Sequence, residues 1–281
     1  MTDNSEKTNH PDADQIKKNI TGIFNVVADG YDNSSTRFFT FCADKMLEIL
    51  QPKPNTKLLD IATGTGAVAT AAAKKLLPEG KVHGIDLSEK MLEQAHKNAK
   101  KMLLNNIDLH TMDAENPTFT TDHFRYITCS FGLFFIPDMP NALSNWKRIM
   151  QPGGELIIST FAPGAFTPLS DLFKSRMKNF GIEIPDAAWF RLSDENECHQ
   201  LISNAGFINV KVTRQQMGYY LQNTEDWWQI LWQTGFRGFL NQLSASDLEN
   251  FKTEHLKEIE NHKTKNGIWL DVDTLFTTAS K

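Results

Sequence analysis

The stretch at positions 56–73, TKLLDIATGTGAVATAAA, limits what this chain can fold into more than any other part of it. A short apolar run, Leu58, Leu59, Asp60 and Ile61, leads into a turn built from Gly64, Thr65 and Gly66, and an alanine-rich segment follows that reads as a helix. Glycine answers two needs at such a turn: backbone angles that a Cβ would penalise, and close approach of a ligand to the main chain. The helix start beyond it offers N–H groups with no partner inside the helix. Taken alone, a strand, a glycine turn and a helix specify a nucleotide-like ligand and no reaction.

Two cofactors compete for this turn. Gly64 to Ala69 fits G-x-G-x-x-G/A, and Asp86 follows about 20 residues on, as a dinucleotide fingerprint requires. Asp60 argues the other way. A dinucleotide fold presses its pyrophosphate against the turn, where a carboxylate at the strand end would repel it. S-adenosylmethionine carries an amino group, a sulfonium and no phosphate, so Asp60 suits it, and the sequence favours the methyl donor over a nicotinamide cofactor.

The chain beyond the turn alternates strand and helix. A second strand at 81–86 ends on Asp86, and a third at 107–112 ends next to Asp113. In an open parallel sheet ligands lie outside the carboxyl ends of the strands, so both carboxylates are expected to reach the crevice that the turn opens. There Asp86 can accept both ribose hydroxyls and Asp113 an exocyclic amine. A fourth strand at 124–130 ends at Ser130 and Phe131, where a transferred group would meet its acceptor, and a fifth follows the QPGG turn at 151–154. The order predicts an α/β fold, a doubly wound, mostly parallel seven-stranded sheet with an added helical cap.

The predicted organisation runs as follows. Residues 1–13 form a disordered tail, 14–55 helices that contribute to the cap, and 56–162 the donor-binding core. A proline-interrupted cap insertion at 163–192 holds Pro163, Pro168, Pro185, Trp189 and several phenylalanines. A core helix and strand occupy 193–223, the strand reaching about residue 220, and a helical insertion rich in tryptophan spans 224–263. One last antiparallel strand lies within 264–281.

With 281 residues, 40% hydrophobic and 22% charged, the composition is that of a globular protein able to bury a substantial core. A net charge of −5 gives no field for a polyanion, so nucleic acid is not an expected partner. Cys42, Cys129 and Cys198 lie far apart, without C-x-x-C or Cys/His spacing, which fits a reducing compartment and no metal site. The first residues lack the features of a signal peptide and no segment is long enough to span a bilayer, so a cytoplasmic protein is expected.

FNVVADGYD at 24–32, LLDIATGTG at 58–66, GIDLSEKML at 84–92, MDAE at 112–115 and QPGGELIIST at 151–160 occur in an order that resembles the class I S-adenosylmethionine-dependent methyltransferases. Within that class the likeness is to the ubiquinone and menaquinone C-methyltransferase group, the type 11 methyltransferases. It is strong over about residues 20–162. The resemblance implies that Asp60, Gly64, Thr65 and Gly66 contact the methionine part of the donor, that Ala62 also belongs to the donor site, and that Asp86, Leu87 and Met91 hold its ribose and adenine. It further implies that Asp113 and Ala114 flank the adenine, that Ser130 and Phe131 line the floor near the methyl group, and that Tyr31 closes over the donor. Arg125 departs from the family, which has an acidic residue there; its place at the start of the strand makes this a change of surface charge.

A small-molecule methyltransferase is therefore expected, with an apolar or aromatic acceptor roofed by the aromatic segments. Those segments could instead pack on one another or form a homodimer contact. No catalytic base is assignable, since His83, His96 and His110 fall in donor-domain segments and His123, His199, His255 and His262 have no partner legible in the sequence. A donor-binding protein without transferase activity is the second reading and a nicotinamide-dependent oxidoreductase the third.

Overall fold

Two helices, α1 (Ala13–Val27) and α2 (Phe38–Leu50), precede the first strand in a computed structural model that describes residues 12–184 and 188–281. Residues 1–11 of the expected tail, Pro185 and the Trp189 side chain lie outside the described residues. The glycine-turn stretch then folds as β1 (Lys57–Ile61), the turn and α3 (Ala67–Leu76). The alternation continues through β2 (Lys81–Asp86), α4 (Glu89–Lys101), β3 (Ile107–Thr111), β4 (Phe124–Ser130), α5 (Met139–Ile149) and β5 (Met150–Phe161). Leu58, Leu59 and Ile61 are fully buried, as strands covered on both faces must be.

Beyond β5 the chain forms α6 (Leu169–Asn179), α7 (Glu195–Asn204), β6 (Ile208–Gln216), β7 (Tyr219–Leu221), α8 (Thr224–Gln233), α9 (Arg237–Leu240) and α10 (Ala245–Glu260). It closes with β8 (Lys263–Thr264), β9 (Gly267–Leu270) and β10 (Asp273–Ser280). The seven-stranded sheet has the order β3-β2-β1-β4-β5-β10-β6, in which β10 alone runs antiparallel to its neighbours β5 and β6. Because the order reverses between β1 and β4, a crevice opens at their carboxyl ends.

Three sequence expectations are corrected. The strands expected at 208–220 and 267–279 are each two strands, the outer pieces belonging to a separate small sheet of order β7-β9-β8. The bend has a local cause: Gln216 Oε1 accepts from both Gly218 N at 2.8 Å and Val272 N at 2.9 Å, and a Cβ on Gly218 would lie 2.3 Å from the Leu270 carbonyl oxygen. β6–β7 and β9–β10 thus form one long antiparallel hairpin, kinked where it passes from one sheet to the other. The segment at 163–192 contains a regular helix, α6, since Pro168 sits at its N-cap and leaves Leu169, Phe173 and Met177 on one buried face.

α10 packs against both α6 and α8 to form the cap. Trp227, Phe173 and Phe251 are buried there, and Trp227 Nε1 donates to His255 Nε2 at 2.9 Å. Both partners are fully buried. Burial pushes the His255 pKa from its ordinary 6.5 down to about 3, with the Arg176 charge acting the same way. The unfolded chain therefore takes up a proton near pH 6.5 that the folded one refuses, and His255 costs stability as the pH falls from 6.5 toward 3. Trp227→Phe strips His255 of this donor. A loss of about 1–3 kcal/mol is expected, read as a lower urea midpoint at unchanged m-value.

Candidate functional site

Three clefts share walls along the carboxyl edge of the sheet. The largest, about 800 Å³, has its floor at four strand ends: Ala62 and Gly64 after β1, Asp86 and Leu87 at β2, Met112, Asp113 and Ala114 after β3, and Ser130 and Phe131 at β4. Met91 lies at one side, and α1 supplies the roof through Lys17, Ile20, Thr21 and Phe24. Asp86 is oriented by two backbone groups, with Oδ2 accepting from Gly64 N and Oδ1 from Ser88 N, each at 2.9 Å. Burial raises its pKa, and these N–H groups oppose the rise.

A second cleft, of about 400 Å³, is lined by Asp60, Thr63, Gly64, Thr65 and Ser130. Asp60 is 1% exposed. Its only side-chain partners among the described residues are hydroxyls: Thr63 Oγ1 donates to Oδ2 at 2.6 Å and Thr128 Oγ1 to Oδ1 at 2.7 Å. Burial raises its pKa to about 6 against the pull of both threonines. Among the described residues no lysine, arginine or histidine pairs with Asp60 or Asp86. Two carboxylates without cations at one turn, Asp60 buried and Asp86 half-buried, fit a ligand with a cationic group and hydroxyls to donate, and they oppose a pyrophosphate.

The third cleft, about 460 Å³, is an aromatic chamber. Phe38, Phe39, Phe131, Phe134, Phe135, Phe161, Phe166 and Phe236 line it together with Phe24, Ile230 and Thr234. Phe131 stacks on Phe161 with centroids 4.2 Å apart. Tyr31 borders all three clefts, with its ring stacked on Phe39 at 4.8 Å. The next residue anchors it: Asp32 accepts from Thr65 Oγ1 in the glycine turn and from Asn98 Nδ2 on α4, each at 2.6 Å. Ala62 and Phe131, which follow β1 and β4, both adopt left-handed backbone angles, with φ of 52° and 51°. Residues without glycine's freedom held there mark a strained, functionally shaped edge.

Of the residues expected at the site, Tyr31, Asp60, Ala62, Gly64, Thr65, Asp86, Leu87, Met91, Asp113, Ala114, Ser130 and Phe131 all line one or more clefts. Gly66 is the exception. It caps α3 at φ 84°, where an added Cβ would lie 3.2 Å from that of Ala95, so this glycine shapes the turn without forming a wall. Sequence reasoning missed Lys17, whose ammonium donates to Asp113 Oδ2 at 2.9 Å and to Glu115. Burial lowers the Lys17 pKa, but the bonds to the two carboxylates outweigh this and hold it above its usual value. Arg125 stands at the opposite end of β4 from the clefts and pairs with Glu155 at 3.0 Å.

The ubiE/COQ5 methyltransferase family matches residues 12–223. The chain belongs to that family. It is accordingly an S-adenosylmethionine-dependent methyltransferase. Aklanonic acid methyltransferase DauC of Streptomyces sp. (strain C5) is 35% identical over 162 residues, which cover 54% of this chain and 74% of that one. Demethylmenaquinone methyltransferase of Staphylococcus haemolyticus (strain JCSC1435) is 30% identical over 230 residues, 75% of this chain and 91% of that one. Among solved structures, the YcgJ protein of Bacillus subtilis matches with a TM-score of 0.59 at 19% identity, covering 86% of this chain and 98% of its own. That likeness is one of fold.

The methyltransferase keeps its histidines out of the clefts: among the described residues none lines any of them. His83 and His110 instead pair on β2 and β3, Nδ1 to Nε2 at 3.3 Å, with His123 close by, so two donor-domain histidines and one thought solitary form a cluster of their own. Removing a hydroxyl beneath Asp60 tests how that carboxylate is held. Thr128→Val takes a donor from the charged form, so the Asp60 pKa rises further above about 6 and the penalty falls on the ionised state. A destabilisation of about 1–3 kcal/mol is expected at pH 8 and a smaller one at pH 5, measured by urea unfolding at both values.

Proposed function

We propose that this methyltransferase holds S-adenosylmethionine with the adenosine in the largest cleft and the methionine portion beside Asp60, and transfers the methyl group to a flat, apolar or aromatic small molecule in the phenylalanine chamber. The observation that carries this reading is the chamber itself, contiguous with the donor clefts through Tyr31 and Phe131. In this reading Asp60 takes the donor's ammonium group, with Gly64 and Thr65 beside it in the second cleft. Asp86 accepts the ribose hydroxyls, Leu87, Met91 and Ala114 enclose the adenine, and Asp113 faces its amine. Ser130 and Phe131 support the methyl-bearing end, and Tyr31 closes the junction between donor and acceptor.

When bound, the donor supplies a sulfonium-activated methyl group. The acceptor atom forms the new bond to carbon as the sulfur–carbon bond breaks, and sulfur leaves as a neutral thioether. The chain's own contribution is alignment of the two partners and exclusion of water by the aromatic walls. Relatives named for aklanonic acid, nocamycin and demethylmenaquinone methylation support an organic small-molecule acceptor. Within the cap Trp227, Trp228 and Phe236 are buried against their own chain, which supports a roof over the acceptor more than a subunit contact. The three cysteines are buried free thiols, in keeping with a reducing, cytoplasmic setting, and among the described residues no helix is long and apolar enough to cross a membrane.

Calorimetric titration with S-adenosylmethionine, followed by turnover assays on quinols, phenols and amines, tests the proposal. Donor binding without transfer to any of them would leave a donor-binding protein, and binding of NADH alone would overturn the reading. Donor affinity is expected to rise as the pH is raised from 5 to 7, by up to roughly tenfold per unit below the Asp60 pKa of about 6, with a proton released on binding. Asp60→Asn should flatten that dependence. Phe236→Trp, which narrows the chamber alone, is expected to raise the acceptor KM several-fold, by an amount on the order of 1 kcal/mol, while leaving the donor Kd unchanged.

A further inference from the structure

The two halves of α1 are held to the core in different ways. At its carboxyl end Asn25 Oδ1 accepts from Ser88 Oγ at 2.7 Å, and just beyond it Asp29 pairs with Gln94 and Asp32 with Thr65 and Asn98. In the amino half, among the described residues, the only polar side chain bonded to the core is Lys17. Lys17, Ile20, Thr21 and Phe24 recur at spacings of three and four and present one face to the donor cleft. That half of the roof therefore hangs on one ammonium group.

The two acceptors of that ammonium differ. The Glu115 side chain is 8% exposed, with Oε1 accepting from Asp138 N at 2.9 Å, and its only cation among the described residues is Lys17. Asp113 accepts from Glu115 N at Oδ1, at 2.9 Å, and from Lys17 at Oδ2. Lys17 and Asp113 both line the cleft, at the end assigned to the nucleobase. Without the lysine, two neighbouring carboxylates would repel one another beside the nucleobase, and Asp113 would keep only the Glu115 N–H to fix its direction.

We infer that Lys17 is a positioning residue for the nucleobase: by bridging Asp113 and Glu115 it aims the Asp113 carboxylate at the exocyclic amine and latches the amino half of α1 over the ring. The inference rests on the donor placement proposed above. Under it, recognition of the base and closure of the helix are one event, and a change at position 17 alters donor binding without touching the methyl-transfer end of the cleft.

S-adenosylhomocysteine titrated into the full chain separates the outcomes. Lys17→Met keeps the apolar stem and removes the charge, and it is expected to weaken binding by roughly tenfold or more, the range of a charge-assisted hydrogen bond. Lys17→Arg, which can span both carboxylates, should recover most of the affinity. Amide hydrogen exchange is the readout that a purely structural lysine would not couple to ligand. In the unaltered chain residues 13–24 should slow markedly on ligand addition, and in Lys17→Met they should exchange faster and gain little protection. Equal or tighter binding by Lys17→Met, with exchange over 13–24 unchanged, would overturn the inference, because Lys17 would then be a bystander or a group the base displaces. A failure of the unaltered chain to bind S-adenosylhomocysteine overturns the donor placement itself, and the role given to Lys17 with it.

Discussion

The crevice depends on a charge that the chain does not neutralise. Asp60 lies one residue before the end of β1 in the middle of the sheet, almost wholly excluded from water, and bonds from the Thr63 and Thr128 hydroxyls, with a further contribution from the Ala69 backbone, offset the cost of burying it. Those two bonds also join three elements, because Thr63 belongs to the glycine turn and Thr128 to the neighbouring β4. The carboxylate is thus at once a brace for the turn and an unsatisfied demand for a cation. A ligand with an ammonium group relieves that demand, so donor affinity and the shape of the turn have a common origin.

The chamber proposed for the acceptor is built on the opposite principle. Nine phenylalanines surround a chamber next to three aspartates, and edge-to-face and stacked contacts such as Phe38 on Phe166 and Phe131 on Phe161 keep the rings from collapsing into it. Tyr31 stands between the two regions, held by its neighbour Asp32 to the donor turn and by ring stacking to the acceptor wall. In the proposed arrangement, polar recognition on one side and apolar recognition on the other allow donor and acceptor to be selected independently.

How much of this was legible in the sequence follows from the range of each interaction. Asp60, Asp86 and Asp113 can be placed because each lies within two residues of the carboxyl end of a strand in a regular β-α alternation, where topology sends the side chain to the crevice. Lys17 could not, since its partners lie 96 and 98 positions away and a lysine near a helix start carries no local signal of burial. A heptad-like count would have shown only that it shares a face with Phe24. The prolines around α6 concealed a helix that one of them in fact begins. The final hairpin reads as unbroken in the sequence because its apolar alternation runs straight through Asp271 and Val272, whereas the break is made by a side chain, Gln216, from the other strand.

That hairpin has a consequence for how such a protein can change. α8, α9 and α10 all lie between β7 and β9, which are paired through Tyr219 with Leu270 and Leu221 with Ile268, so the excursion leaves and re-enters the small sheet at adjacent points. A loop whose ends are already fastened together can lengthen, shorten or be exchanged with little penalty to the sheet below it. The clefts proposed for the donor are lined by strand ends of the central sheet. One wall of the acceptor chamber, which Ile230, Thr234 and Phe236 supply, hangs instead from a socket, the place in this architecture where a new substrate preference can be acquired without relearning how to bind the donor.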